Sequence, residues 1–331
     1  MIITRTPFRI SFFGGGTDYP DWFRERGGGV LATSIDKYCY ISVRVLPPFF
    51  AHRYRLVYSV VENVVEIEEI QHPAVRAVLK WTGADRGLEI HHDGDLPARS
   101  GLGSSSSFTV GLINALRALD GRLVSKEELA RDAIHVEQCV IKEPVGSQDQ
   151  ISAAFGGFNR IEFLPNGMFD IQPIILPLER QQALEQHLML FFSGVSRFSA
   201  DVAKTKIENL KNRCTELTTM YQMVTEGLDI LRSPSRSLDE FGRLLHEGWM
   251  LKRRLSDRVS TQHIDDIYET ARSAGAIGGK VLGAGGGGFL VFFVPPEKQA
   301  CVKARLNGLI HVPFKFDTAG SRVVLYQPNG F

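Results

Sequence analysis

The sequence predicts an α+β protein in two parts, spanning 1–170 and 171–331, with the second part a split βαβ, ferredoxin-like unit. Two observations carry this. Strand and helix patterns are mixed through the first half. The second half runs strand, helices, two strands around a glycine turn, helix, strand. Pro165, Pro173 and Pro177 interrupt the pattern between the two halves.

Ile2–Phe13 reads as the first strand, followed by a helix opened by Thr17-Asp18. Val30–Leu46 is rich in β-branched and aromatic residues and predicts one or two strands. Tyr54–Glu68 predicts a hairpin, Pro73–Trp81 a helix with proline at its start, and Leu88–His92 a strand. Ser105–Leu119 and Lys126–Ile141 have helical periodicity, a short helix follows Ser147, and Gly157–Phe163 and Phe169–Ile175 predict paired strands. The second half opens on an apolar strand, His187–Phe192. Helices are predicted over Ala200–Leu231, Leu238–Leu255 and Ile264–Ala274. Strands Gly279–Leu282 and Gly288–Val294, helix Pro296–Leu306 and strands Val312–Phe316 and Arg322–Tyr326 close the chain.

The 331 residues are enough for a large core, and a formal net charge of +1 gives no reason to expect a nucleic-acid or membrane-surface partner. No apolar run is long enough to span a bilayer, and the first residues lack a secretory apolar stretch. Cys39, Cys139, Cys214 and Cys301 lie far apart with no Cys-x-x-Cys, so neither a zinc site nor a disulfide framework is expected, and a reducing cytoplasm fits.

The most informative segment is Leu96–Ser107, a glycine turn running into four serines and then an apolar helical pattern. Gly101 and Gly103 permit close backbone approach, and the serines can cap the helix that follows. A helix start presents unpaired N–H groups and partial positive charge, which suits phosphate, and a serine hydroxyl there can reach a phosphate-bound Mg²⁺. An ordinary serine-capped helix has the same pattern. Two further glycine clusters stand at Gly14-Gly15-Gly16 and at Gly283–Gly288. Asp18 after the first can accept from ligand hydroxyls or cap a helix. Four consecutive glycines exceed what a hairpin needs, which suggests a ligand against the backbone or a flexible loop. Glu137 and Asp149, between the clusters, can hold a metal or orient a hydroxyl, and either alone can be a surface charge.

Taken in order, these segments resemble the GHMP kinase superfamily. Pro7–Asp18 looks like its first motif, Pro97–Ser107 like its Pro-x₃-Gly-Leu-Gly-Ser-Ser phosphate loop, and Leu282–Phe289 like its glycine-rich third motif. The resemblance implies a first domain like domain 2 of ribosomal protein S5, a ferredoxin-like second domain, and use of ATP and Mg²⁺. It implies nucleotide binding by Pro97, Arg99, Ser100, Gly101, Leu102, Gly103, Ser104, Ser105 and Ser106. Ser105 (or its neighbour Ser106) and Glu137 would bind Mg²⁺, Asp149 would be base or orienter, and Arg9 would support it. Gly15, Gly16, Thr17, Asp18, Gly285, Gly286 and Gly287 would border the substrate. No Lys-Ser or Lys-Thr follows the glycines, so the loop is not a Walker A loop, and direct in-line transfer is the expected mechanism.

Within the superfamily, Phe13–Tyr19, Val145–Gln150, Phe155–Ile161 and Leu282–Phe289 resemble the kinases of D-glycero-D-manno-heptose 7-phosphate. Galactokinases carry Gly-Glu-His-Thr-Asp where this chain has Gly14-Gly15-Gly16-Thr17-Asp18, which argues against galactose. The implied reaction is ATP-dependent phosphorylation of the anomeric C1 hydroxyl, giving a 1,7-bisphosphate for nucleotide-activated heptose. The partner expected is a small sugar phosphate, with no nucleic acid or membrane, and a homodimer is compatible. A phosphorylated sugar needs a cation, and Arg197 (with Lys204 second) is the candidate. A kinase of another sugar such as fucose, or a non-catalytic sensor on the same fold, is the alternative.

Overall fold

A computed structural model describes residues 1–195 and 212–328. The first half contains β1 (Ile2–Phe13), α1 (Pro20–Arg26), β2 (Gly28–Val45), β3 (Tyr54–Val57), β4 (Val61–Val64), α2 (Pro73–Thr82), β5 (Leu88–Gly94) and α3 (Ser104–Leu119). Then come α4 (Lys126–His135), a π-helical turn (Val136–Ile141), α5 (Gln148–Phe155), β6 (Phe158–Phe163) and β7 (Phe169–Pro173). The second half contains α6 (Leu178–His187), β8 (Leu188–Phe192), α7 (Cys214–Arg232), α8 (Asp239–Arg254), α9 (Gln262–Ser273), β9 (Gly278–Val281) and β10 (Phe289–Phe293). It ends with α10 (Gln299–Arg305), β11 (Ile310–Val312), β12 (Phe316–Asp317) and β13 (Arg322–Tyr326).

Strand β2 organises the first sheet. Its Leu31–Val43 stretch pairs antiparallel with β1, its Cys39–Val45 half with β5, and its Gly28–Thr33 half with β6. The sheet order is β13-β1-β2-β5-β3-β4, and β3 runs parallel to β5. Helix α3 is apolar nearly all round because it is covered on both sides, by β1 and β2 and by neighbouring helices. The second sheet has the order β11-β8-β10-β9 and is antiparallel throughout. That order, with helices between β8 and β9 and between β10 and β11, is the ferredoxin-like arrangement expected.

Three differences from the sequence reading have physical reasons. Leu178–His187 forms a helix that the pattern did not reveal, because only Leu184 is buried and no apolar stripe exists. The expected helix Lys126–Ile141 changes to π geometry at Val136, a break that periodicity does not detect. Arg322–Tyr326 joins β1 rather than the second sheet, and β12 joins β2. The expected 1–170/171–331 division is therefore crossed by these strands and by the β6–β7 pair. One hydrophobic cluster also runs through both parts, with Phe241 of α8 set edge-on to Phe12 and Phe13 of β1, 5.3 and 5.0 Å between centroids. No described helix is long and apolar enough to cross a membrane.

Candidate active site

The second half of β1 delivers Arg9 into the interior, 4% exposed, where its guanidinium meets the first turn of α5. Arg9 Nε and Nη2 donate to Asp149 Oδ1 and Oδ2, both at 2.8 Å, forming a two-pronged pair. The third prong, Nη1, donates to Gly101 O at 2.6 Å, so the same arginine fixes the serine loop. The Arg9 amide donates to Leu102 O at 3.1 Å, binding the loop to β1 a second time. Each Asp149 oxygen keeps a further lone pair for a hydroxyl brought to it.

The loop itself ends in Gly103, which takes the N-cap position of α3 with φ 77°. The expectation that a serine caps the helix does not hold. α3 starts at Ser104, and its N-terminus has no side-chain cap bond. Ser100 Oγ turns back to Pro97 O, Ser104 Oγ accepts from Arg99 N, and Ser107 Oγ donates to Pro7 O. The serines are spent holding the loop's shape, and the first-turn amides of a 16-residue buried helix are left to an anion. Leu102 is fully buried and Ser100 is 1% exposed, so these two can serve a nucleotide only through the backbone. Pro97 and Arg99 are exposed at the loop's outer edge.

Glu137 lies on the π-helical turn, 1% exposed. Oε2 accepts from Ser106 Oγ at 2.9 Å and from Gln150 Nε2. Oε1 is buried with no hydrogen-bond partner among the described residues. Burial pushes the carboxyl up to about 7, against the hydrogen bonds from Gln150 and Ser106 that pull it down. A buried carboxylate oxygen without a donor, beside a hydroxyl and a phosphate-seeking helix start, suits a divalent cation that also touches phosphate. The metal pairing is corrected in one respect. Ser106 and not Ser105 meets Glu137, because the helical turn points Ser105 outward to solvent. No cluster of three or more His, Cys, Asp or Glu that could hold a metal exists among the described residues, so any ion here depends on its ligand's oxygens.

Asp18 and Thr17 turn inward. Asp18, 2% exposed, accepts from Gly16 N at 2.8 Å and from Gln148 Nε2 at 3.0 Å. Thr17 is wholly buried, and its hydroxyl is taken up by Gly14 O, Gly29 O and Gly29 N. Thr17 therefore builds the loop instead of touching substrate. Tyr19 is buried beside Asp18 and Asp149, and burial and these two charges raise its phenol far above the ordinary range. Gly16 is buried, while Gly15 is half-open to solvent.

The third glycine cluster packs against the protein's own backbone. A Cβ on Gly288, at φ +85°, would stand 2.2 Å from Ser100 O, and one on Gly283, at φ +65°, would stand 2.5 Å from Gly101 Cα. Gly285 abuts Val259 O and Gly287 abuts Val195 O, while Gly286 N donates to Val259 O at 2.8 Å. Gly285 and Gly287 are thus required by the packing of loop on loop, and Gly286 by its φ of 77°. Buried Lys252 clamps the loop, donating to Val281 O at 2.8 Å and Gly283 O at 2.7 Å. Lys280 reaches across to Phe12 O at 2.7 Å, joining β9 to the end of β1. Sequence does not reveal these clamping lysines: Lys252-Arg253-Arg254 reads as a solvated helix face, yet Lys252 is 4% exposed, and a lone Lys280 carries no signal of burial. Arg197 and Lys204 lie outside the described residues.

The three loops thus converge, and the serine loop is gripped from both halves of the chain. Comparison with known proteins agrees with this geometry. Residues 63–157 match the model of the GHMP kinases N terminal domain and residues 229–308 that of the GHMP kinases C terminal domain. The chain belongs to the GHMP kinase family. It is an ATP-dependent kinase, as members of that family are.

Among GHMP kinases, it is 29% identical over 310 residues to the D-glycero-alpha-D-manno-heptose 7-phosphate kinase of Campylobacter jejuni, covering 90% of this chain and 91% of that one. It is 27% identical to the bifunctional fucokinase/GDP-fucose pyrophosphorylase of Arabidopsis thaliana, over 91% of this chain but 30% of that protein. The fold matches a D-glycero-D-manno-heptose 1-phosphate kinase from Bacteroides thetaiotaomicron with a TM-score of 0.79, at 24% identity, covering 98% of each chain.

The loop-on-loop packing of this GHMP kinase carries a prediction. Gly288→Ala puts a methyl into the Ser100 carbonyl at a positive φ, a strain of about 3 kcal/mol. Thermal unfolding should show a lower Tm, and calorimetric titration a weaker affinity for ATP, because Ser100 adjoins Gly101. An unchanged Tm would remove the packing argument.

Proposed function

We propose that this kinase transfers the γ-phosphoryl group of ATP to the anomeric C1 hydroxyl of D-glycero-D-manno-heptose 7-phosphate, giving the 1,7-bisphosphate that precedes nucleotide-activated heptose. The observation that carries the chemistry is the Arg9–Asp149 fork set against Gly101 and Gly103. The amides at the start of α3 cradle the phosphates, Asp149 orients the acceptor hydroxyl and takes its proton as transfer completes, and Arg9 holds Asp149 and the loop in register. Glu137 Oε1 with Ser106 would hold Mg²⁺, which when bound offsets charge on the β- and γ-phosphates.

The heptose assignment is supported by the likeness to the Campylobacter enzyme along nearly all of both chains. Gly15 and Gly16, where galactokinases carry Glu and His, support a substrate other than galactose. The likeness to two fucose kinases supports fucose as the second reading. A small diffusible sugar phosphate and a chain without a membrane-crossing helix among its described residues are consistent with work in the cytoplasm.

The test is phosphorus NMR of the products formed from ATP with heptose 7-phosphate, heptose 1-phosphate and fucose in turn. A new anomeric phosphate resonance on heptose 7-phosphate is expected. Turnover of fucose alone, or phosphate gained at C7 of heptose 1-phosphate, would overturn the assignment.

A further inference from the structure

We infer that two copies of this chain pair through the outer side of β4, antiparallel and about a twofold axis at Asn63. The inference concerns assembly and is independent of which sugar is phosphorylated. β4 is the terminal strand of the first sheet, joined to β3 on one side, and among the described residues no strand lies on its other side. Tyr58 N donates to Val60 O at 3.0 Å, so Val60, Glu62 and Val64 turn their backbone groups toward β3. Val61, Asn63 and Val65 turn theirs outward.

Natural proteins protect such a strand with lysine, proline or a bulge. Val60-Val61-Glu62-Asn63-Val64-Val65 contains no Lys, Arg or Pro, and its pairing with β3 has no bulge. Val60, Val61 and Val65 are 52%, 56% and 44% exposed, an apolar strip on a surface strand. The strand's one charge points inward. Glu62 is buried, and its carboxylate accepts from Tyr58 Oη at 2.7 Å, Gln71 N at 2.6 Å and His72 N at 3.1 Å. β4 is therefore anchored from within while its outer side stays bare. The other strand ends of the two sheets are less open to pairing. β13 starts with exposed Arg322, β9 is wholly buried, and β11 has three residues.

The sequence of the strand selects the occupant. Read outward from Asn63, Val61 mirrors Val65. Two such strands laid antiparallel about Asn63 put Val61 of each copy opposite Val65 of the other, on one face of the extended sheet. Glu62 falls opposite Val64 and Val60 opposite Glu66, so no charge meets its like. Asn63 meets its own copy and exchanges both backbone hydrogen bonds with it. Val61 N donates to Val65 O of the partner subunit. Val65 N and Glu66 N are already taken by Glu69 Oε2, each at 3.0 Å, which ends the ladder at that point. A contact built on one short strand is smaller than a standard interface, so the dimer should form only at about 50 µM and above.

Sedimentation velocity of the full chain from about 5 to about 500 µM tests this, and the wild type should move from monomer to dimer across that range. Val61→Lys should weaken association at least tenfold and leave Tm unchanged, since the side chain is exposed. Asn63→Cys locates the axis. In a chain whose exposed Cys139 and Cys301 are changed to serine, it should yield a disulfide-linked dimer under copper–phenanthroline, and the parent without it should not. Residues paired in this way stand about 5.5 Å apart between Cα atoms, within disulfide reach. A wild type that stays monomeric throughout would overturn the inference. So would a dimer that Val61→Lys does not weaken and Asn63→Cys does not link, since its copies would meet elsewhere.

Discussion

Asp149→Ala is expected to lower kcat by about a thousandfold, the usual weight of a positioned proton acceptor, while affinity for ATP changes only a few-fold. The separation follows from geometry. The phosphate-facing amides belong to Gly101–Ser106, whereas Asp149 faces Gly103 from α5, its carboxyl carbon 3.5 Å from where a Cβ would stand. Arg9 complicates the alanine variant, because it would be left buried with only Gly101 O to receive it. Asp149→Asn keeps one acceptor for the guanidinium and removes the charge. Stopped-flow phosphoryl transfer with both variants, and nucleotide titration alongside, separates a chemical loss from a collapsed loop. Rates within tenfold of wild type in the asparagine variant would take Asp149 out of the proton's path.

Glu137→Gln is expected to stabilise the protein and disable it. The folded-state carboxyl is raised by burial to about 7, against about 4.5 in the unfolded chain. Between those values the folded protein binds the extra proton, so stability falls as pH rises through this window. At pH 8 the buried charge costs about 3 kcal/mol, and at pH 4.5 almost nothing. Glutamine keeps an acceptor for Ser106 and Gln150, and its amide replaces the unpartnered Oε1. Calorimetric melting should therefore show a Tm several degrees above wild type at pH 8 and nearly equal at pH 4.5. Activity with Mg²⁺ should fall at least a hundredfold. In wild type, kcat/KM for MgATP should decline as pH drops below about 7, as Glu137 protonates, and this limb should vanish in the variant. A lower Tm for the variant at pH 8 would contradict the charge-burial account.

The architecture was largely legible because its signals are local. β1 and β2 are long β-rich runs, α3 is apolar, and the β9–β10 turn is marked by glycine. Arg9, Asp149 and Glu137 were found because each lies within a motif of ordered neighbours. Sequence leaves the metal-side serine as Ser105 or its neighbour Ser106, since a run of identical residues does not say which one faces the π turn. The glycines of the last loop were legible as a close-approach signal, but sequence does not distinguish a ligand's oxygen from the carbonyl of Ser100. The pairing of Arg322–Tyr326 with β1 joins residues more than 300 positions apart, beyond the reach of any pattern.

That last pairing has a consequence for biosynthesis. As the polypeptide leaves the ribosome, the Ile2–Arg5 edge must wait for Arg322–Tyr326 to emerge, with its amides and carbonyls open to any passing β-segment. Ile2–Arg5 are thus made more than 300 residues before their partners, and a nascent chain of this kind has reason to need chaperone shelter until Arg322–Tyr326 has emerged.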